Sequence, residues 1–447
     1  MESSRHRLLV ARFSLPKATP RSKLLPHHEI WTRRPIKLFA LKMGPITRTA
    51  VLAIISEISI VSPVGGTEEL TDTPPPLAIQ IGEHGAADFV NLIFLFDRVA
   101  TQSSSVTSPD YRERISQPSS PFYPDYLEYR SGRIDRRELV RRLPHVSMIG
   151  DSLSLNFYVS APWSVFWRAR TERRKNWFLD TDPAPESIFS IYERLQQFTP
   201  LVATEYSGAG ALVAPSRAQE GLRRKIVRTR NLSGQTRRIV GKDRLPDLIM
   251  IWIGHNNIDW VEGLSSAERE HPEAHLRKMA TRFGKNYTES LQLLINRAKT
   301  ENHKVGIVVF GMANFEAFSR GHLKAAALHA RNPKLYPRLE SGYRAFESLK
   351  PVYHKTTIRL GLMMETEIQA MVRNLNRELK NYPNIRLQYS EALKNVDFSR
   401  LELISSVDGW HPSVEGQKAL AEAAYSGLHP TLDFLGINPP RKASLPR

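Results

Sequence analysis

Val146-Ser147-Met148-Ile149 is a short apolar run, and directly after it stands Gly150-Asp151-Ser152-Leu153; far downstream the chain reads Asp408-Gly409-Trp410-His411-Pro412-Ser413. These two segments supply a serine, a histidine and an aspartate. A serine hydroxyl is a poor nucleophile at neutral pH until a histidine accepts its proton and a carboxylate fixes the histidine tautomer and steadies the resulting positive charge. The residue types therefore point to attack by Ser152, proton transfer by His411 and orientation of His411 by Asp408, with an acyl-serine as the chemical consequence.

Such groups must be held by a scaffold. From His145 onward, short apolar runs alternate with amphipathic stretches, the pattern of a parallel sheet covered by helices on both faces. The pattern predicts strands at Val146–Ile149, Leu201–Thr204, Leu248–Ile253, Val305–Phe310 and Ile385–Tyr389. Tyr287, Leu291, Leu294 and Ala298 recur at helical spacing, as do Met364, Ile368, Met371 and Leu375, and both sets read as core-facing stripes. A last helix is expected after His411, with Pro412 in its first turn and helix formers from Ala419 to Ala424. The fold class expected is a three-layer α/β/α arrangement around a parallel, flavodoxin-like sheet.

In an open parallel sheet, ligands sit beyond the carboxyl ends of the strands. Ser152 follows the first predicted strand and is expected to open a helix, so that its backbone N–H can help bind an oxyanion. Gly208 and Gly210, in Tyr206-Ser207-Gly208-Ala209-Gly210, follow the second and permit close approach of backbone to a ligand. Asn256, in Gly254-His255-Asn256-Asn257, follows the third, where its amide can donate to the same oxyanion; His255 and Trp410, next to these groups, are candidates for substrate contact. Each segment also has a plainer reading: Asp151 or Ser152 as a helix cap, the glycines and Asn256 as turn residues, His255 as a packing residue. The joint reading rests on four loops agreeing in order, placement and residue type.

On these segments the chain resembles the SGNH hydrolase family, also called GDSL esterases and lipases, over roughly residues 145 to 428. Gly150-Asp151-Ser152-Leu153 is similar to the nucleophile block, Gly210 (with Gly208 as alternative) to the glycine block, Gly254-His255-Asn256 to the Gly-x-Asn block, and Asp408 with His411, followed by Pro412, Ser413 and Gly416, to the Asp-x-x-His block. The resemblance implies a carboxylic-ester hydrolase with Ser152 as nucleophile, His411 as general base and then acid, Asp408 as its orienter, and an oxyanion hole of Ser152 N–H, Gly210 N–H and the Asn256 side chain. Two positions depart from the pattern: Asn257 stands where the family often has Asp, and Glu205 where an Asn often precedes the glycine. Acyl transfer or thioester cleavage through the same acyl-serine, or a catalytically inactive carbohydrate- or lipid-binding relative, are the alternatives, since fold alone does not fix function.

The 447-residue chain is long enough for one large domain with extensions or for two domains, and 41% hydrophobic content is ample for a core. Lys and Arg number 63 against 45 Asp and Glu, a formal +18, but residues 1 to 48 alone hold 11 basic and 2 acidic residues. Residues 1–76 therefore read as a basic, disordered extension and linker, 77–144 as a partly structured segment with a Ser/Pro-rich loop from Thr101 to Pro124, 145–428 as the hydrolase domain and 429–447 as a tail. Nucleic acid is not an expected partner, because no reader motif accompanies the charge. The expected partner is a small-molecule, lipid or acylated-carbohydrate ester. Absence of cysteine excludes disulfides, thiolate catalysis and Cys-based metal sites, and the proposed chemistry calls for no metal or organic cofactor. No transmembrane helix is expected, since Leu92–Phe96 is far too short and Ala50–Ile55 is interrupted by Glu57. Compartment stays open between cytoplasm and export.

Two insertions could set the substrate. Residues 156–198 interleave Phe157, Tyr158, Trp163, Phe166, Trp167, Trp177 and Phe178 with Arg168, Arg170, Arg173, Arg174 and Lys175, which would serve as a wall beside the nucleophile or as an added packed layer. Residues 217–244 carry Arg223, Arg224, Lys225, Arg228, Arg230, Arg237 and Arg238, read as a hairpin over Lys225–Val240 turning near Asn231–Gly234, on the site rim or on a solvated face. His271 and His275 are spaced four apart without the zinc-protease pattern and read as surface residues beside a helix start at Pro272.

Overall fold

The computed structural model describes residues 104–155, 176–181, 188–213, 231–336, 339 and 351–437. All belong to one compact unit, Ala100–Arg447. The expected N-terminal extension, the apolar run Leu92–Phe96, most of the aromatic insertion and the basic residues from Arg217 to Arg230 lie outside the described residues.

Among the described residues six strands form one sheet: β1 (Ser104–Thr107), β2 (His145–Gly150), β3 (Val202–Glu205), β4 (Leu248–Trp252), β5 (Val305–Phe310) and β6 (Ile385–Ser390), in the order β1-β3-β2-β4-β5-β6. From β3 to β6 all pairs are parallel, which gives the flavodoxin-like order, and β1 is added antiparallel on β3. Every residue of β4 and β5 is buried. Near-continuous apolar runs such as Leu248-Ile249-Met250-Ile251-Trp252 are what a parallel strand covered on both faces demands, at roughly 1.5–3 kcal/mol for each large side chain buried.

The helices are α1 (Tyr111–Ile115), α2 (Tyr123–Arg130), α3 (Arg136–Arg142), α4 (Ile191–Gln196), α5 (Leu232–Val240), α6 (Ser266–Glu270), α7 (Glu273–Ala298), α8 (Phe315–Arg331), α9 (Pro351–Glu378) and α10 (Val414–Leu435). The stripe Tyr287, Leu291, Leu294, Ala298 is fully buried on α7, and Met364, Ile368, Met371 and Leu375 are buried on α9. α7 packs between α5 and α9, while α10 packs on β5, β6 and α4.

Four expectations are corrected. Thr101–Pro124 is not one loop: it contains β1, α1 and the start of α2, and β1 pairs with β3, so the folded unit begins well before residue 145. Lys225–Val240 does not end in a hairpin: Leu232, Gln235, Thr236 and Ile239, at helical spacing, are buried on α5, with Asn231 at its N-cap. The last helix begins at Val414 with Ser413 as N-cap, so Pro412 precedes it. It also runs through Pro430 to Leu435, so no tail begins at 429; Leu428 and Leu432 are fully buried on either side of the proline, and Gly436 ends the helix.

Candidate active site

β2 and β4 end level, Gly150 beside Trp252, at the point where the parallel strand order reverses. In open parallel sheets the ligand site lies beyond the carboxyl ends of the strands at such a point. Beyond Gly150, Asp151 caps a three-residue 3₁₀ turn, Ser152–Ser154, by accepting the Leu153 N–H at 3.1 Å. The cap reading of Asp151 is thus correct, while the expected helix after Ser152 is only this short turn among the described residues. Ser152 is 6% exposed, and Ser154 Oγ donates to the Trp252 carbonyl at 3.2 Å.

The loop after β4 is fastened to the same carboxylate. Asp151 Oδ2 accepts the backbone N–H groups of Gly254 and His255, each at 3.2 Å, and lies 2.8 Å from His255 Nδ1. Gly254 has φ of 128°, and a Cβ there would lie 2.9 Å from the Phe283 ring, so both backbone and space require glycine. Behind this turn Tyr287 is fully buried; burial raises its phenol above the ordinary range, and the Glu365 and Asp151 charges push it the same way.

The loop after β3 completes the group. Gly208 donates its N–H to Gly150 O at 3.1 Å, whereas no hydrogen bond engages the Gly210 N–H among the described residues. Gly210 has φ of 70°, and among the described residues no atom lies within 4 Å of where a Cβ would stand. Asn256 Nδ2 donates to Ala211 O at 2.9 Å, and Asn257 Oδ1 accepts the Val213 N–H at 2.9 Å, so both asparagines tie the third loop to the second. A carboxylate at 257 would accept that N–H equally well, which explains how Asn257 can stand where Asp is common. Glu205 is buried, and its Oε1 accepts the Ser207 N–H at 2.8 Å.

Asp408 and His411 meet in the loop before α10. Asp408 Oδ2 is 2.5 Å from His411 Nδ1, and Oδ1 accepts the backbone N–H groups of Trp410 at 3.0 Å and His411 at 3.1 Å. Asp408 is fully buried and His411 is 8% exposed. A bridge from Ile404 to Pro412 and the Ser405 N–H on His411 O, at 2.6 Å, hold the loop closed. Ser152 and His411 share no direct hydrogen bond among the described residues. α10 connects their segments: Gln417 donates to Leu155 O at 3.2 Å and accepts the Trp177 N–H at 2.9 Å.

Two residues expected at the substrate, His255 and Trp410, are buried. His255 is 1% exposed and held by Asp151 and by the Ala313 N–H at 3.2 Å. Trp410 is also 1% exposed, its ring 4.5 Å from that of Phe318, which stacks on Phe398. Trp177 and Phe178, from the aromatic insertion, are fully buried, with Trp177 edge-on to Trp252 and Phe310. Of the basic stretch, Arg238 lies over the Tyr206 ring and Arg244 pairs with Asp247. Among the described residues no cluster of His, Asp and Glu could hold a metal, and no helix is long and apolar enough to cross a membrane.

A model of the GDSL-like Lipase/Acylhydrolase family matches residues 146–424, from β2 into α10 and across all four loops. The chain belongs to this family. Among solved structures, an acetyl esterase mutant crystallised with acetate ion is 12% identical to this GDSL-like chain, with 65% of this chain and 99% of that one covered and a TM-score of 0.31. Another is 10% identical over the same shares, with a TM-score of 0.36. At scores this low neither likeness adds to the family match. No curated protein sequence matches the chain.

One residue of this GDSL-like site was not legible as such. Gln235, on α5, accepts the Gly150 N–H with Oε1 at 3.0 Å and donates to Gly150 O with Nε2 at 2.8 Å, clamping the residue two before Ser152. An isolated glutamine 85 positions away carries no local signal of this; only its place on the buried stripe of α5 marks it.

Proposed function

We propose that this protein hydrolyses carboxylic esters through an acyl-serine intermediate, on a three-layer α/β/α domain that extends from β1 to the end of α10. Ser152 Oγ attacks the ester carbonyl while His411 Nε2 accepts its proton. The tetrahedral oxyanion is bound by Ser152 N–H, Gly210 N–H and the Asn256 amide, and collapse expels the alcohol, protonated by His411. Water, deprotonated by His411, then attacks the acyl-serine; collapse releases the acid and returns the proton to Ser152. Membership of a lipase and acylhydrolase family supports an ester substrate, and we take that ester to be of a small molecule, lipid or acylated sugar.

The observation that carries this reading is the Asp408–His411 pair. A proton on Nδ1 shared with a buried carboxylate leaves the basic lone pair on Nε2, the nitrogen that must receive the serine proton. Gly210 is preferred to Gly208 as donor because the Gly208 N–H already serves the Gly150 carbonyl. Proton transfer from Ser152 to His411 does not require a direct bond between them at rest, since catalytic hydrogen bonds often tighten only in the substrate complex.

Hydrolysis of p-nitrophenyl esters from acetyl to palmitoyl by wild type and Ser152→Ala tests the proposal. Turnover by wild type that vanishes in the variant is expected, with a chain-length profile that bounds the acyl pocket. Equal inertness of both, together with failure of a fluorophosphonate to label wild type, would overturn it.

A further inference from the structure

His255 stands inside the family's Gly-x-Asn segment, yet its ring makes contacts that reach beyond its own loop. Its Nε2 is the acceptor for the Ala313 N–H, in the loop after β5, at 3.2 Å. A backbone N–H can only donate, so Nε2 carries its lone pair, the ring proton sits on Nδ1, and that proton is donated to Asp151 Oδ2 at 2.8 Å. The imidazole is therefore neutral in a single tautomer. It is held edge-on to Trp252, with ring centres 4.7 Å apart, and 6.0 Å from Phe315. Trp252 is itself fixed by Nε1–H donation to Gly311 O at 3.0 Å. The ring thus joins loops from three adjacent strands, β2, β4 and β5.

We propose that His255 is a positioning residue for the oxyanion-binding groups, acting through Asp151. The proposal rests on the acyl-serine reading above. Ser152 lies between Asp151 and Leu153, and Asn256 directly follows His255; the Asp151 carboxylate binds Leu153 N–H with one oxygen and the Gly254 and His255 N–H groups with the other. The orientation of that single carboxylate therefore sets the separation between the Ser152 N–H and the Asn256 amide. His255 Nδ1–H is its side-chain donor, and it is anchored from the far side by Ala313. Displacement of a reacting or stabilising group by about 1 Å costs on the order of 100-fold in rate, so a ring that touches no substrate can still govern turnover.

Two substitutions separate the ring's two bonds. His255→Asn keeps a donor near the Nδ1 position, and His255→Gln keeps a polar atom near Nε2 while giving up the bond to Asp151. With p-nitrophenyl acetate, His255→Gln is expected to lower kcat about 10- to 100-fold with KM within about two-fold, while His255→Asn restores most of kcat; both should unfold thermally close to wild type. In an Asn256→Ala background the effect of His255→Gln should shrink to a few-fold, because one of the groups being aimed is gone. Equal loss in both variants, a loss confined to KM, or the full loss persisting without Asn256 would overturn the proposal. If wild type is active, Ser152→Ala is not, and both His255 variants match wild type, the positioning role alone fails; inert wild type removes both readings. A measurement that needs no folded variant is ¹⁵N NMR of the histidine rings in wild type: a buried imidazole protonated at Nδ1 only is expected, and an Nε2–H form at His255 would refute the bond to Ala313 on which the role depends.

Discussion

Asp408 Oδ2 lies 2.5 Å from His411 Nδ1 while the other oxygen of the same carboxylate accepts the backbone N–H of His411 itself. One side chain thus fixes both the ring and the main chain of the residue assigned as general base. Asp408→Asn would keep the shape and the backbone bonds but can present an NH₂ group to Nδ1, which selects the tautomer with its proton on Nε2. In the proposed mechanism kcat should fall by about 10⁴ with little change in KM. Steady-state kinetics beside a thermal melt checks this; a loss of less than about ten-fold in a well-folded variant would remove Asp408 from the mechanism.

Asn256 is expected to matter more to turnover than to stability. Its amide donates one hydrogen to Ala211 O, and the second is the one proposed for the oxyanion. Asn256→Ala should cost about 3 kcal/mol of transition-state stabilisation, or 10²–10³ in kcat. The bond to Ala211 is a neutral one and should contribute only about 1 kcal/mol to folding. Comparing kcat with urea unfolding separates the two, and a variant that loses stability but keeps kcat would show that Asn256 only ties the loops together.

Much of this arrangement was legible in the sequence because it is carried by local pattern. β4 and β5 are unbroken apolar runs of strand length between helical stripes, and all parallel strands were expected within one or two residues of where they stand. β1 was not legible: Ser104-Ser105-Val106-Thr107 holds a single large apolar residue, and short, polar strands are what a sheet uses at its edge. α5 was misread as part of a hairpin because Asn231 and Gly234 are turn residues by type. Burial of Leu232, Gln235, Thr236 and Ile239 along one face outweighs that preference. The partners of His255 and Trp410 were not legible either: adjacency to a catalytic candidate suggests substrate contact, whereas Asp151 and Phe318, which they touch, are distant in the chain and only the fold brings them together.

Gln235 supplies a prediction of that non-local kind. Gln235→Leu fills a similar volume but leaves the buried Gly150 N–H without its acceptor, a loss of about 1–3 kcal/mol. Because Gly150 precedes the nucleophile turn, kcat should fall as well, while Gln235→Glu, which keeps an acceptor, should recover part of the stability. Urea midpoints for the three proteins decide the matter; indistinguishable midpoints would mean that the clamp contributes nothing.

At Gly210 the backbone, rather than side-chain space, is the constraint. With φ of 70° and, among the described residues, no atom within 4 Å of where a Cβ would stand, Gly210→Ala meets no clash with them but must hold a left-handed conformation, at about 1–2 kcal/mol, or relax out of it. Relaxation would turn the N–H away from the oxyanion. A lower kcat at nearly unchanged KM is expected, and full activity in the alanine variant would exclude the Gly210 N–H as an oxyanion donor.

His145, at the start of β2, predicts how stability depends on pH. Burial lowers its imidazole below the ordinary 6.5, against the opposing pull of nearby Asp247 and the Val140 carbonyl; Arg244 and His303 add to the lowering. Between the folded-state value and 6.5 the unfolded chain binds a proton that the folded chain refuses. The contribution is therefore whole above 6.5 and is lost as pH falls through that value toward the folded-state one. Urea unfolding of wild type at pH 7.5, 6.5 and 5.5 should show stability falling with pH, and His145→Gln, which has no proton to gain, should fall less steeply. Parallel slopes would show that His145 titrates alike in both states and that burial at the foot of β2 does not hold it neutral.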